Sequence, residues 1–332
     1  AVLDTAPAES VTEKVTVRSP ANALGLLLLM TTRPGMSPAW LTSRMLAVHT
    51  ILELFAILIS GLVVASAWHT LDRAKQSNAQ VFVVGFLVVL TCDVMHVLTY
   101  QGMPTFITES STPQAIFFWL MGRSAEMLTL AAIAFSVVLR LSRLASLALA
   151  LVIASGLVLF GSFGLEYFPL TFVQGKGVTA FKAGYEYALS ASNFALALML
   201  LVQARREASK EKRLLGLSSF LMGLGGMAFT QYTAPSDIQN IAGHIYKVAA
   251  YALLPQFWSL PALASLLVLY WLTACLGVTI GYHRLLSHRA FRLPQWLERF
   301  FATCGALSAQ HGPIDWAGLH RHHHKFSDTD AD

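Results

Sequence analysis

Charge and cysteine are both scarce in this chain. Only 12% of its 332 residues are charged, whereas 55% are hydrophobic. Because soluble domains carry about 25% charged residues, this composition excludes an ordinary soluble domain and predicts a polytopic membrane protein. The three cysteines, Cys92, Cys275 and Cys304, lie in apolar segments without CxxC spacing. They therefore predict buried apolar side chains and no disulfide framework.

The positive excess is small and is spread over short loops. Lys and Arg number 23 against 18 Asp and Glu, a formal net charge of +5. The basic residues lie between apolar runs, as the positive-inside rule predicts for membrane proteins. A nucleic-acid partner is therefore not expected, whereas membrane lipids are.

Seven apolar windows are long enough to cross a bilayer, which takes about 20 residues of helix. They are residues 45–68, 81–100, 116–139, 144–164, 184–204, 214–231 and 258–280. Since lipid offers the backbone no hydrogen-bonding partner, each window is predicted to be a helix. The expected fold class is an all-α, polytopic transmembrane helical bundle of about seven spans.

Basic residues concentrate in alternate loops, which predicts the orientation. The basic loops 69–80, 140–143 and 205–213 are expected in the cytoplasm, and the N-terminus outside. Loop 165–183, with Lys176 and Lys182, is a mild exception. An eighth window, 241–254, is short and polar and is predicted not to cross, which places residues from 283 onward in the cytoplasm. If it did cross, those residues would face outside.

The last fifty residues hold seven of the eleven histidines. His320, His323 and His324 share one face of a helix, whereas His322 points away. His283 and His288 are five apart, about 140° around an ideal helix, and converge only if the helix ends or distorts, or if they serve two metals. Neutral imidazole suits iron, copper and zinc, so a metal site at a membrane surface is predicted.

The residues around these histidines resemble the membrane fatty acid desaturases, most closely the bacterial delta-9 type, over about residues 250–332. The matching stretches are Gly277-Val-Thr-Ile-Gly-Tyr-His-Arg-Leu-Leu-Ser-His-Arg289, Gly312-Pro-Ile-Asp-Trp316 and His320-Arg-His-His-His-Lys-Phe-Ser-Asp-Thr-Asp330. The resemblance implies a histidine-ligated di-iron site at the cytoplasmic face of a bacterial inner membrane. It also implies an acyl-CoA or acyl-lipid substrate, O₂, and an external electron donor such as ferredoxin or a cytochrome b5-like protein.

The resemblance assigns roles to individual residues. It implies that the iron ligands are His283, His288, His320, His323 and His324. It implies that Trp316 lines the acyl tunnel, although an interfacial anchor is an equal alternative. Asp315 could orient a ligand histidine from the second shell. Residues 295–309 are expected to form an amphipathic helix on the membrane surface.

Two departures from the desaturase pattern shape the expectation. The third histidine box of the family is not reached by Asp332, so this chain is expected to be inactive as it stands. Gly318 and Leu319 replace the charged residues that animal acyl-CoA members carry before the second box, which argues against acyl-CoA and leaves an acyl-lipid substrate open. A related acyl hydroxylase is the nearer alternative, and a signalling receptor is the alternative from another class.

The preceding helices carry polar residues that are costly to bury in a membrane. Their positions resemble a bacterial membrane-associated sensor domain, of the type found before diguanylate cyclases and histidine kinases, over about residues 40–254. The cluster comprises His49, Glu53, Asp93, His96, Arg123, His244 and Lys247. One interpretation is a buried ligand, haem or metal site. The other is a set of interhelical ion pairs, such as Glu53 or Asp93 with Arg123.

The expected organisation has three parts. Residues 1–40 form a disordered or weakly structured N-terminus, 41–250 a sensor-like membrane domain, and 251–332 the N-terminal half of a desaturase domain. The two membrane parts meet near residue 250. Whether they form a natural fusion or two separate proteins stays open at this point.

Overall fold

The computed structural model describes residues 44–71, 78–230, 232, 234, 236–254, 259–308 and 310–327. The N-terminal region 1–40, predicted to be weakly structured, lies outside the described residues, as do Arg73 and Lys75 of the first basic loop.

The described chain is built from helices, which confirms the all-α fold class. The helices are α1 (Met45–Thr70), α2 (Ala79–Leu98), α3 (Thr112–Ala134), α4 (Arg143–Phe163), α5 (Ala180–Arg206), α6 (Lys210–Ala228), α7 (Ile238–Ala252), α8 (Leu260–Tyr270), the π-helical segment Trp271–Ser287, α9 (Gln295–Ala306) and α10 (Pro313–Phe326). A 3₁₀ turn, Leu165–Tyr167, and a two-residue antiparallel pair, β1 (Phe172–Val173) and β2 (Gly177–Val178), lie between α4 and α5.

Six helices of the described chain are long and apolar enough to cross a membrane. They are α1 to α5 and Leu263–Ser287, which joins most of α8 to the π segment. The remaining predicted window, 214–231, falls in α6, whose first turn carries Lys210, Glu211, Lys212 and Arg213. Because that turn is charged, the apolar part is short, and the count is six where about seven had been expected.

Helix α7 has 15 residues. At 1.5 Å per residue it is about 22 Å long, which is less than the hydrocarbon core of a bilayer. This length agrees with the prediction that window 241–254 does not cross. It packs against α6 and α1, and a Cβ on Gly225 of α6 would lie 3.3 Å from the carbonyl oxygen of Gly243. The close approach buries His244 and Lys247 inside the bundle.

The assignment of Lys182 to loop 165–183 is wrong. Helix α5 begins at Ala180, and Thr179 caps it by accepting a hydrogen bond from the Lys182 backbone amide. The Lys182 side chain is buried and pairs with Glu186, with Nζ and Oε1 3.0 Å apart. Lys182 is therefore part of the bundle interior, and only Lys176 remains as an exception to the loop-charge pattern.

The apolar core lies between α1, α2, α3, α5, α6 and α7. Helix α8 packs beside α1, and the hydroxyl oxygens of Ser66 and Ser259 are 2.6 Å apart. The histidine-bearing C-terminal helices thus follow a helix that contacts the first span directly.

Candidate functional site

Four histidines from the two C-terminal motifs meet in one place. The ligand nitrogens of His283, His288, His320 and His324 all lie within 4.8 Å of one another. The Nε2 atoms of His283 and His288 are 3.1 Å apart, and those of His320 and His324 are 3.0 Å apart. Since metal ligands must converge on one point, this arrangement is able to hold a metal ion.

The convergence of His283 and His288 depends on the π-helical segment. In a π-helix the backbone hydrogen bond joins residues i and i+5, and the His288 amide donates to the His283 carbonyl at 3.0 Å. Residues five apart therefore lie one above the other instead of about 140° apart as in an α-helix. This meets the condition predicted from the sequence, that the helix must distort for the pair to meet.

Helix α10 is held against the end of the π segment by Arg321. Its guanidinium donates hydrogen bonds to the carbonyl oxygens of Ser287, at 3.0 Å, and Leu286. A cation at the C-terminal carbonyls of a helix is electrostatically favourable. Tyr282 adds a second link, because its hydroxyl donates to the His311 carbonyl at 3.1 Å. These contacts bring the two motifs together across 32 intervening residues of chain, from His288 to Arg321.

Glycines allow α9 to pack closely on the π segment. A Cβ on Gly277 would lie 2.4 Å from the backbone of Cys304, and one on Gly281 would lie 2.9 Å from the Phe301 carbonyl oxygen. Any larger side chain at either position would push α9 away. The glycine spacing of the first motif therefore serves the packing on which the histidine site depends.

The remaining predicted residues lie around this four-histidine group. Trp316 stacks on His320 with ring centroids 4.8 Å apart, so its indole lies directly beside the candidate metal site. His323 lies outside the four, with its ring 6.3 Å from that of His320. Asp315 is exposed in the first turn of α10, and its orienting role stays a prediction. Burial, and then the neighbouring imidazoles, lower the pKa of His320, which favours the neutral form that binds metals.

The polar residues of the membrane bundle divide into two connected groups. In the first, Arg123 donates to Asp93 at 2.7 Å, to Glu126 at 2.6 Å and to the Tyr251 hydroxyl at 2.6 Å. Lys247 links the groups, because its ammonium lies 3.0 Å from Asp93 and 2.6 Å from Glu53. The predicted pairing of Asp93 with Arg123 is present, whereas Glu53 pairs with Lys247.

The second group contains His49, Glu53, His96 and His244. Their ligand atoms lie within 4.8 Å of one another, and all four side chains are buried. Asp93, predicted beside them as a ligand, is instead occupied by Arg123 and Lys247. The cluster predicted from the sequence thus contains both an ion-pair network and a metal-capable group.

Sequence reasoning missed several residues that support these groups. Tyr251 joins Arg123, and Glu186 accepts hydrogen bonds from Trp119 and Lys182. The i, i+4 spacing of Lys182 and Glu186 was the available signal for an intrahelical pair. Arg321 lay inside the second histidine motif, but its capping role requires the position of the π segment and carries no local signal.

Comparison with known proteins gives two separate matches. The model of the membrane-associated sensor domain MASE3 matches residues 41–256. A stretch of 84 residues is 51% identical to the sn-1 stearoyl-lipid 9-desaturase of Anabaena variabilis, covering 25% of this chain and 31% of that protein.

Other desaturases match over similar lengths. The sn-1 stearoyl-lipid 9-desaturase of Synechocystis sp. is 51% identical over 88 residues, 26% of this chain and 28% of the relative. The Icosanoyl-CoA 5-desaturase of Limnanthes douglasii is 40% identical over 99 residues, 30% of this chain and 28% of the relative. The chain therefore spans less than a third of the length of these curated relatives. Among solved structures, none matches significantly.

Proposed function

This chain belongs to the family of membrane-associated sensor domains, whose model covers more than half of it, and from that premise we propose a two-part function. Residues 41–250 form a membrane sensor unit, and residues 251–332 form the iron-binding N-terminal part of a fatty acyl desaturase. The desaturase part introduces a cis double bond, at the delta-9 position as in the cyanobacterial relatives, into the acyl chain of a lipid.

The observation that carries the desaturase proposal is the meeting of four imidazoles at His283, His288, His320 and His324. Two sequence-distant motifs with desaturase identity fold so that their histidines converge, which chance placement of exposed histidines does not explain. The donor set fits iron because neutral imidazole is a good ligand for it. By the desaturase resemblance, His323, outside the four, would be a ligand of the second iron of a di-iron centre.

The chain's own residues prepare this site for an acyl substrate. Bound iron would supply the activation of O₂ needed to cleave unactivated C–H bonds, with electrons from an external donor. Trp316 stacks on His320 and limits its rotation. Arg321 keeps the two motifs in register. The uncharged Gly318 and Leu319 favour an acyl-lipid over an acyl-CoA, and relatives that act on stearoyl-lipids are among the matches at 51% identity.

Iron binding tests the proposal. The purified full chain, titrated anaerobically with Fe²⁺ against a chromophoric chelator, is expected to bind iron at the C-terminal histidines. The variants His283→Ala and His324→Ala should each weaken that binding by ~100-fold or more, since the loss of a ligand costs at least as much as the loss of its supporting partner.

The matched control for this titration is His322→Ala. His322 lies in the same motif but packs on Phe326, with ring centroids 4.6 Å apart, and its loss should leave iron affinity unchanged. Any iron held by the N-terminal histidines is common to all variants. Equal affinity in the chain and in His324→Ala would contradict the ligand assignment.

The orientation of the site is a second prediction. We expect residues from His283 onward to face the cytoplasm of a bacterial cell, because Arg284, Arg289 and Arg292 follow the last span. In a chain whose three cysteines are replaced by serine, Ser327→Cys should react with a membrane-impermeant maleimide in inverted vesicles and not in intact spheroplasts. Ser327 is exposed at the end of α10. Labelling from the outer face alone would reverse the orientation.

The sensor unit is supported by the family match and by its buried polar cluster. Charged side chains buried inside a membrane domain are costly and by default indicate ligand or coupling sites. If the desaturase proposal failed the iron titration, the sensor proposal would still stand on residues 41–256.

A further inference from the structure

The buried group His49, Glu53, His96 and His244 carries a feature that packing alone does not explain. These side chains come from three helices: α1 supplies His49 and Glu53, α2 supplies His96, and α7 supplies His244. They are between 0% and 5% exposed. Their ligand atoms nevertheless face each other and not the surrounding backbone or solvent.

Hydrogen bonds from the outer nitrogens define the tautomers of two of these histidines. His96 Nδ1 lies 2.7 Å from the Ala115 carbonyl oxygen, and His244 Nδ1 lies 2.7 Å from the Asn240 carbonyl oxygen. A carbonyl oxygen only accepts, so each Nδ1 carries the proton and donates it. In the neutral rings both Nε2 atoms are then bare lone pairs directed at the centre of the group. An outer N–H held by a backbone carbonyl is the usual second-shell partner of a metal-ligating histidine.

Two of the lone pairs at the centre lack donors. His244 Nε2 lies 3.2 Å from Glu53 Oε1, but neither atom makes a hydrogen bond, nor does His49 Nδ1. The other Glu53 oxygen accepts from Lys247 at 2.6 Å, which orients the carboxylate and leaves Oε1 facing inward. Neutral His49 can donate its own Nε2 proton to His96 Nε2, 3.1 Å away, whereas Glu53 Oε1 and His244 Nε2 are two acceptors that face each other without a donor.

The surrounding charge also calls for a cation. Lys247 and Arg123 carry two positive charges, and the carboxyl groups beside them are those of Glu53, Asp93 and Glu126. With neutral imidazoles and all three carboxyl groups ionised, the buried network is short of one positive charge. An isolated buried charge is costly, so a bound cation at the inward-facing oxygen of Glu53 is electrostatically favoured.

The size of the space decides between a small ion and a larger ligand. The cavity that reaches this group is lined by His96, His244 and Tyr100 but not by His49 or Glu53, and its volume of about 30 Å³ is room for a single water molecule. Organic ligands occupy pockets of about 300–1,000 Å³, so haem and other organic molecules do not fit in this cavity. Of the sequence interpretations, the structure favours a metal ion.

We infer that His49, Glu53, His96 and His244 bind one divalent first-row transition metal ion inside the sensor unit. Zn²⁺ is the ion whose four-coordinate preference for imidazole nitrogen and carboxylate oxygen this set matches. Neighbouring ligands of a tetrahedral ion at ~2.0–2.1 Å stand about 3.3–3.4 Å apart, and the observed separations run from 3.1 Å up to 4.8 Å. This inference rests on the proposed sensor function and gives the sensor unit a ligand. Zinc binding at these four residues can be measured even if the bound zinc produces no signal.

The test is zinc stoichiometry in a chain whose C-terminal site is disabled. The full-length His320→Ala/His324→Ala variant, stripped with chelator and reloaded with Zn²⁺ alone, is expected to retain one zinc per chain by mass spectrometry of the metal. Adding His49→Gln or His244→Gln should reduce this to below a tenth of an equivalent. Adding His69→Gln, an exposed histidine at the end of α1, should leave it at one.

A second measurement covers variants that fail to fold. X-ray absorption of the zinc-loaded His320→Ala/His324→Ala chain should show three imidazole nitrogens and one oxygen at ~2.0–2.1 Å. A shell of solvent oxygens would overturn the inference, as would zinc that His49→Gln leaves in place or a background chain that retains none. Since two of the four C-terminal ligands are removed in this background and the readout follows His49 and His244, the result is independent of the iron titration.

Discussion

Desaturation is expected to be lost when His320 is replaced by alanine in a chimera of this chain with a desaturase. The chimera carries the matching residues of this chain in place of those of the Anabaena variabilis sn-1 stearoyl-lipid 9-desaturase, to which they are 51% identical. His320 is central to the site: its ring lies 4.7 Å from that of His283, 4.6 Å from that of His324 and 5.4 Å from that of His288. Its loss should reduce the yield of delta-9 unsaturated lipid by at least ~100-fold.

The measurement is gas chromatography of fatty acids from a host that lacks its own delta-9 desaturase. His322→Ala in the same chimera is the matched control and should retain most of the activity, because His322 packs on Phe326 outside the four-histidine group. An active His320→Ala chimera would refute the assignment of His320 as a ligand. A hydroxylated product in place of the double bond would favour the related hydroxylase.

A large loss of stability is expected from Arg123→Met. Arg123 is 3% exposed and pairs with both Asp93 and Glu126. Its removal leaves two buried carboxylates with Lys247 as the nearest remaining cation, at Asp93. Breaking one side of a buried ion pair costs about 3–5 kcal/mol because the remaining charge is uncompensated. The free energy of unfolding in detergent, measured by denaturant titration, should fall by about that amount.

Two further variants separate charge from packing in this prediction. Arg140→Met removes an exposed arginine and should change the free energy of unfolding by less than ~0.5 kcal/mol. Adding Asp93→Asn and Glu126→Gln to Arg123→Met should restore part of the lost stability, because the uncompensated charges are then gone. An Arg123→Met chain as stable as the parent would mean that the ion pairs contribute little to the bundle.

Individual residues show which contacts can be predicted from local sequence spacing and which cannot. The i, i+4 spacing of His49 and Glu53 and the i, i+3 spacing of Asp93 and His96 predicted shared helix faces, and both pairs face the bundle interior. The spacing did not predict which of these four residues would contact a cation and which would contact a histidine, because Arg123 and Lys247 approach from other helices. Lys182 was assigned to a loop because the apolar window that predicted its helix begins at residue 184, whereas the helix begins four residues earlier, at Ala180.

The C-terminal site shows the same division. The motifs predicted five histidine ligands and a metal site, and four of these histidines converge; His320 and His324 needed only α-helical spacing to do so. His283 and His288 converge because the backbone takes π-type hydrogen bonds there. The close packing of α9 on Gly277 and Gly281 accompanies this backbone conformation, which the spacing of the two histidines does not predict.

The sequence by itself determined that this chain is an all-α membrane protein, and it predicted metal chemistry at the clustered histidines. Long apolar runs leave the backbone no choice but helices in a membrane, and clustered histidines indicate metals wherever they fold. Only the tertiary structure divided the buried polar residues into an ion-pair network around Arg123 and a metal-capable group around His49. The reason is that both depend on α7, which brings His244 and Lys247 to Glu53 from 191 and 194 residues away. Contacts of that sequence separation are set by helix packing, for which local spacing provides no information.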